Sequence, residues 1–97
     1  MVRVFINGYG NIGRRLASSL AADKEIRLVG IAKYSIDEKV KEALENRYNV
    51  YVPKEAVGAF REEGYNVAGP VEEAVMQCDL IVDAAKEGAG YDNKKNL

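Results

Sequence analysis

Val2-Arg3-Val4-Phe5-Ile6-Asn7-Gly8-Tyr9-Gly10-Asn11-Ile12-Gly13 is the stretch on which the reading of this chain turns. Its first five residues are mostly apolar and β-branched and run into Asn7-Gly8, which predicts a buried strand followed by a tight turn. From Asn11 the spacing changes. Ile12, Leu16 and Leu20 recur every four residues with Ala17 and Ala21 beside them, while Arg14 and Arg15 fall on another side. That period predicts an amphipathic helix to about Ala22. The glycines between strand and helix fall as G-x-G-x-x-G, and in that position each has a mechanical task. Gly8 permits the turn, Gly10 lets a pyrophosphate approach the backbone, and Gly13 lets the helix pack closely on the strand. The unpaired N–H groups of Asn11 and Ile12, at the positive end of the helix, are then the expected phosphate ligands. The competing reading is a glycine-rich strand-to-helix turn with no ligand, and the agreement of strand, loop and helix weighs against it.

Downstream, the near-continuous apolar run from Ile26 to Ala32 predicts a parallel strand covered on both faces. Residues 37–45 predict a short helix with Asp37 as its N-cap, and Val50-Tyr51-Val52 a brief third strand. Pro53 suits the first turn of a helix carrying Ala56, Val57 and Phe60 until Gly64 stops it, with Gly58 weakening it from inside. Residues 66–68 read as a short extended piece. Gly69-Pro70 restarts a helix through Val71, Ala74 and Val75, and Leu80-Ile81-Val82 is the fourth clear strand. Strands alternating with helices of about ten residues define the class as α/β. They predict the N-terminal part of a Rossmann-type, doubly wound parallel sheet, with residues 1–97 forming a single NAD(P)-binding domain. In that topology strand one is central and the strand at 80–82 lies at an edge. With the polar, weakly patterned tail 87–97 leaving that edge uncovered, the chain is expected to self-associate there or to be marginally stable.

The end of strand two bears on the cofactor. Twenty residues past Gly13, where an NAD-selective domain usually places an acid against the ribose 2′-hydroxyl, stands Lys33, followed by Tyr34 and Ser35. A lysine cannot accept from a hydroxyl but pairs with a 2′-phosphate, so NADP, or both NADP and NAD, is the expected cofactor. The other reading of Lys33 is a solvated surface lysine. Tyr34 reads either as a residue flanking the adenine or as packing.

The remaining features exclude more than they assign. The chain has 97 residues, 47% hydrophobic and 30% charged, and its 14 basic and 15 acidic side chains leave a net charge of −1. That balance belongs to an ordinary folded domain with no field to collect nucleic acid or anionic lipid. No apolar run is long enough for a membrane span and no signal-peptide pattern opens the chain, so a cytoplasmic location is expected. The single cysteine, Cys78, excludes an internal disulfide and reads as a small apolar filler. The absence of histidine removes His-based metal sites, Ser-His-Asp triads and Cys-His pairs. No catalytic residue and no metal ligand is assigned.

With these residues placed, the chain resembles the start of archaeal-type phosphorylating glyceraldehyde-3-phosphate dehydrogenase, over nearly its whole length. The resemblance is carried by residues 6–15, by Val29-Gly30-Ile31-Ala32-Lys33, by Tyr51-Val52-Pro53, by Val67-Ala68-Gly69 and by residues 79–83. It implies that the loop with Gly8, Gly10, Asn11, Ile12 and Gly13 binds the cofactor pyrophosphate and that Lys33 favours the 2′-phosphate. Bacterial and eukaryotic members usually carry an aspartate at this place. It also implies a homo-oligomer, a tetramer for the full-length family. In that enzyme a cysteine thiolate attacks the aldehyde, hydride passes to the nicotinamide and phosphate releases the acyl group. Two local departures are Ala85-Lys86-Glu87-Gly88, where the family has a Thr-Pro-x-Gly type of turn, and Ile36 where a proline often stands. The third is length, because the family's catalytic cysteine and histidine lie in a later domain. The chain is therefore expected to be inactive alone and truncated before that cysteine. Two alternatives stand beside this reading: the nucleotide-binding domain of another NAD(P)-dependent reductase, and a freestanding NAD(P)-sensing module.

Overall fold

Strand β1 (Val2–Asn7), helix α1 (Asn11–Ala21), strand β2 (Ile26–Ala32) and helix α2 (Glu38–Glu45) form where the apolar periods place them. They are followed by β3 (Val50–Val52), a 3-10 turn (Lys54–Ala56), α3 (Val57–Glu62), β4 (Gly69–Pro70), α4 (Val71–Gln77), β5 (Leu80–Asp83) and β6 (Tyr91–Asn93). The computed structural model describes residues 1–84 and the backbone of residues 91–93. The strands make one sheet in the order β4-β3-β2-β1-β5-β6. β1 to β5 are mutually parallel, and β6 runs antiparallel to β5. The reversal of strand order about β1 is the signature of the doubly wound, Rossmann-type α/β class.

Two cores flank the sheet. On one face Ile6, Ile31, Val50 and Val52 pack with Ala17 of α1, Val40 and Ala43 of α2 and Phe60 of α3. On the other, Phe5, Val29, Ala32, Tyr51 and Ile81 pack with Ala74 of α4 and with Cys78. Successive strand residues point to opposite faces, so a strand buried on both sides must be apolar throughout, as Val4, Phe5 and Ile6 are. Between Val4 and Phe5 the register with β2 slips by one residue, from Leu28 to Gly30. Val29 is the extra residue of this bulge. Gly30 then lies beneath the Tyr51 ring, where a Cβ would come within 2.7 Å of it. The Tyr51 ring meets Phe5 edge-on, with centroids 5.9 Å apart.

Four expectations need correction. The extended piece expected at 66–68 lies later, at Gly69–Pro70, although Ala68 N–H already donates to Val50 C=O at 2.7 Å. Gly69 has φ +153°, and Pro70, which has no N–H to give a ladder, is tolerated because β4 is an edge strand. The helix of α4 accordingly begins at Val71 and not at Gly69-Pro70. Pro53 does not open an α-helix; it precedes the 3-10 turn, and the α-helix starts at Val57. Finally, the β5 edge is not bare. Leu80, Ile81 and Val82 pair with Asn93, Asp92 and Tyr91. Ladder bonds are made by backbone groups, so a polar segment can supply them. The self-association argued from an open β5 edge loses its basis.

Candidate dinucleotide-binding site

The carboxyl ends of β1, β2 and β5 meet beside the N-terminus of α1, at the point where the strand order reverses. Ligands of open α/β sheets bind at such a switch point. Gly8 turns the chain with φ +120°, a conformation that side-chain-bearing residues rarely adopt. Gly13 sits so close beneath it that a Cβ there would come within 2.5 Å of the Gly8 carbonyl oxygen. The two glycines thus bring α1 onto the end of β1. Gly10 differs: among the described residues, a Cβ at that position would meet no atom within 4 Å. The space over Gly10 is open to whatever approaches the loop.

Gly10 is the N-cap of α1 and its C=O accepts the first helical bond, from Arg14 N–H at 2.9 Å. The N–H groups of Asn11, Ile12 and Gly13 precede that bond and have no intrahelical acceptor. Among the described residues no side chain caps them, and no acid stands in the first turn. An eleven-residue helix with its donors uncapped presents the positive end of its dipole to an anion. Asn11 is exposed and Ile12 is 41% exposed, so neither is committed to the core.

A cleft of about 190 Å³ opens beside this loop, lined by Gly8, Gly10, Ala32, Lys33, Ser35 and Lys39 among others. Lys33 is not a solvated surface lysine, because only 6% of it is exposed. Its ammonium reaches Asp37 Oδ2 at 2.8 Å. Asp37 is the N-cap of α2 as expected, its Oδ1 accepting from Lys39 N–H at 3.0 Å. Ser35 Oγ lies 3.4 Å from the same Oδ2. Partial burial pushes the Asp37 carboxyl up, but the hydrogen bonds from Lys33 and from Lys39 N–H, with the charges of both lysines, outweigh it. Its pKa is held below the ordinary 3.8. Sequence reasoning missed Lys39, Ser35 and the second role of Asp37. The available signal was spacing: an acid four residues after Lys33, fixed at the start of a helix, can fold back onto it.

Tyr34 crosses the end of β1, its hydroxyl donating to Asn7 Oδ1. Asn7 Nδ2 in turn lies 3.5 Å from Asp83 Oδ1, so one side chain links the ends of β2, β1 and β5. Burial, then the negative charges of Asp83 and Glu72, raise the Tyr34 pKa, so it is a phenol at neutral pH. Half of Tyr34 remains exposed (53%), and its ring borders a small cavity with Phe5, Val71, Val75 and Ile81. Cys78 is fully buried with its thiol 3.5 Å from Val75 C=O, consistent with an apolar filler. The turn at 85–88 lies outside the described residues.

A larger cleft, of about 360 Å³, runs between α1 and α2 and is crossed by the Arg14–Glu42 ion pair at 2.7 Å. It is lined mostly by α1 and α2, and meets the glycine loop at Tyr9 and Asn11. Among the described residues no group of three or more His, Cys, Asp or Glu could hold a metal, and no helix is long and apolar enough to cross a membrane.

No protein-family model matches the chain. It is 38% identical over 94 residues to glyceraldehyde-3-phosphate dehydrogenase of Sulfolobus acidocaldarius, covering 97% of this chain and 27% of that protein. The enzyme of the same name from Metallosphaera sedula is 38% identical over 95 residues, and glyceraldehyde-3-phosphate dehydrogenase 1 of Methanosarcina acetivorans 39% over 92, each match covering 28% of the relative. The chain thus spans little more than a quarter of the length of the relatives it matches. Along almost all of its own length, this chain resembles the N-terminal part of the archaeal glyceraldehyde-3-phosphate dehydrogenases.

Proposed function

We propose that the chain forms the part of a phosphorylating glyceraldehyde-3-phosphate dehydrogenase that binds the adenosine pyrophosphate of NADP or NAD. One observation carries the reading: the uncapped N-terminus of α1 beside an open space at Gly10, at the switch point of the sheet. The N–H groups of Asn11, Ile12 and Gly13 hold the pyrophosphate, Gly8 and Gly13 shape the loop around it, and Lys33 serves the 2′ position of the ribose, with Tyr34 flanking the adenine. The nicotinamide, when bound, supplies a hydride acceptor, and this chain's residues bind and orient the other half of the molecule. The 97 residues contain no histidine, and their one cysteine is buried, so they lack the accessible thiol and imidazole on which the aldehyde chemistry of this reading depends. The purified chain therefore has no aldehyde-oxidising activity of its own. A cytoplasmic location and a homo-oligomeric, tetrameric full-length enzyme belong to the same reading.

The test is calorimetric titration of the chain with NADP and with NAD, followed by the Gly10→Val variant. NADP is expected to bind at least as well as NAD. Gly10→Val removes binding of both while the circular dichroism spectrum stays that of the parent, because the added side chain projects into open space. Binding retained by a folded Gly10→Val chain refutes the assignment.

A further inference from the structure

We propose that Asp37 sets the cofactor selectivity of this chain by competing with a ribose 2′-phosphate for the Lys33 ammonium; the inference rests on the dinucleotide-binding reading given above. A lysine as buried as Lys33 needs an anionic partner, since an unpaired ammonium out of water is costly. In this structure Asp37 is that partner, at 2.8 Å. The carboxylate is also fixed: its other oxygen caps α2 through Lys39 N–H, and Ser35 Oγ lies 3.4 Å from the oxygen that meets Lys33.

The cleft beside the glycine loop is lined by Lys33, Ser35 and Lys39, and Asp37 stands behind them as a counter-charge that cannot swing away without uncapping the helix. Two ammoniums against one carboxylate leave about one positive charge, whereas a phosphate monoester carries roughly −1.5 to −2 at neutral pH. An incoming 2′-phosphate must therefore share Lys33 with a like-charged neighbour. NAD brings no such group and leaves the Lys33–Asp37 pair intact. Asp37 thus penalises NADP alone and moderates the preference that Lys33 confers. It is a positioning residue, acting on the cofactor through Lys33.

Asp37→Asn tests this, because asparagine caps a helix about as well as aspartate through its one acceptor oxygen, while the group then left facing Lys33 is an uncharged amide NH2 that cannot accept from the ammonium. Calorimetry is expected to show NADP binding tightened about tenfold, the value of one charge-assisted contact, with NAD affinity unchanged within about twofold. A purely structural role for Asp37 would move both cofactors together. A second measurement uses the unaltered chain: the midpoint of the Asp37 carboxyl, followed by carbon-13 NMR, should rise on saturation with NADP and stay in place with NAD. If the parent binds both cofactors but the NADP-to-NAD ratio is unchanged or lower in Asp37→Asn, the proposal is overturned and the binding site stands. Should the variant not fold, an NMR midpoint that NADP does not raise overturns it equally. A parent chain that binds neither cofactor removes the binding reading and this inference with it.

Discussion

Alanine at Gly13 and alanine at Gly58 are the same substitution inside two helices, and the structure gives them opposite signs. At Gly13 the new Cβ would lie 2.5 Å from the Gly8 carbonyl oxygen and 3.1 Å from its carbon. An ordinary C···O contact is about 3.3–3.6 Å, so the first turn of α1 and the loop must separate by about 0.8 to 1 Å. Both partners are backbone, and Gly8 is already confined by its φ of +120°, so no flexible side chain can absorb the movement. Overpacking of this kind costs about 1–3 kcal/mol, against which the better helix propensity of alanine returns at most about 1. The net expectation is a loss of about 1–2 kcal/mol. At Gly58 the Cβ would meet nothing within 4 Å, and alanine should gain about 0.5–1 kcal/mol. Urea unfolding followed by circular dichroism reads both values. For a domain of this size each kcal/mol moves the melting midpoint by about 4–8 °C, so the two variants should melt visibly apart on opposite sides of the parent. A Gly13→Ala chain as stable as the parent would show that the close approach of α1 to the loop is not what Gly13 provides.

Two further outcomes are expected. The folded-state pKa of Asp37 is depressed, so its contribution to stability is complete above the unfolded value near 3.8 and is lost as the pH falls through the lower, folded value. Asp37→Asn should flatten the acid limb of a stability-versus-pH curve measured by denaturant unfolding, and an unchanged limb would contradict the pairing with Lys33. Deleting residues 85–97 uncovers the edge that β6 occupies along Leu80, Ile81 and Val82, so sedimentation should show stronger concentration-dependent association than that of the full chain. Identical behaviour of the two chains would argue against β6 as the cover.

Most of the frame was legible because burial on both faces writes itself into residue type. The runs at Val4-Phe5-Ile6, Ile26 to Ala32 and Val50 to Val52 can be read without knowing their neighbours, whereas in α1 the inward side centres on Gly13 and Ala17, with Leu16 and Leu20 partly buried and Ile12 exposed. β4 was misplaced because two residues held by backbone bonds at an edge carry no side-chain period. β6 was missed for the same reason, its pairing resting on a polar segment. The glycine loop was legible in outline, since position relative to strand and helix gives each glycine its task. Which glycine is needed for packing and which leaves open space is a matter of distances, and only the contrast between Gly13 and Gly10 supplies it. Lys33 was recognised as a cation at the end of β2. Its burial and its partner depend on α2 returning Asp37 to that end, which propensity and period do not convey.

The central strand has a consequence for how the molecule comes into being. β1 pairs on one side with β2, from Val2 with Ile26 onward, and on the other with β5, where Val4 meets Leu80 and Arg3 donates three hydrogen bonds to the Asp79 carboxylate, one from its backbone N–H and two from its guanidinium. The first partner follows within some two dozen residues. The second is 76 residues away. Closing the longer loop costs only about 1 kcal/mol more in chain entropy than closing the shorter one, but it cannot begin until the segment exists. A ribosome emitting about 5–20 residues per second exposes β1 with one side unpaired for several seconds before Leu80 emerges. Through that interval β1, β2 and β3 can assemble with α1 and α2 while the Asn7–Asp83 contact and the α4 side of the sheet are still missing. The glycine loop and Lys33 are thus made early, but the switch point stays open on its second side until β5 docks beside β1.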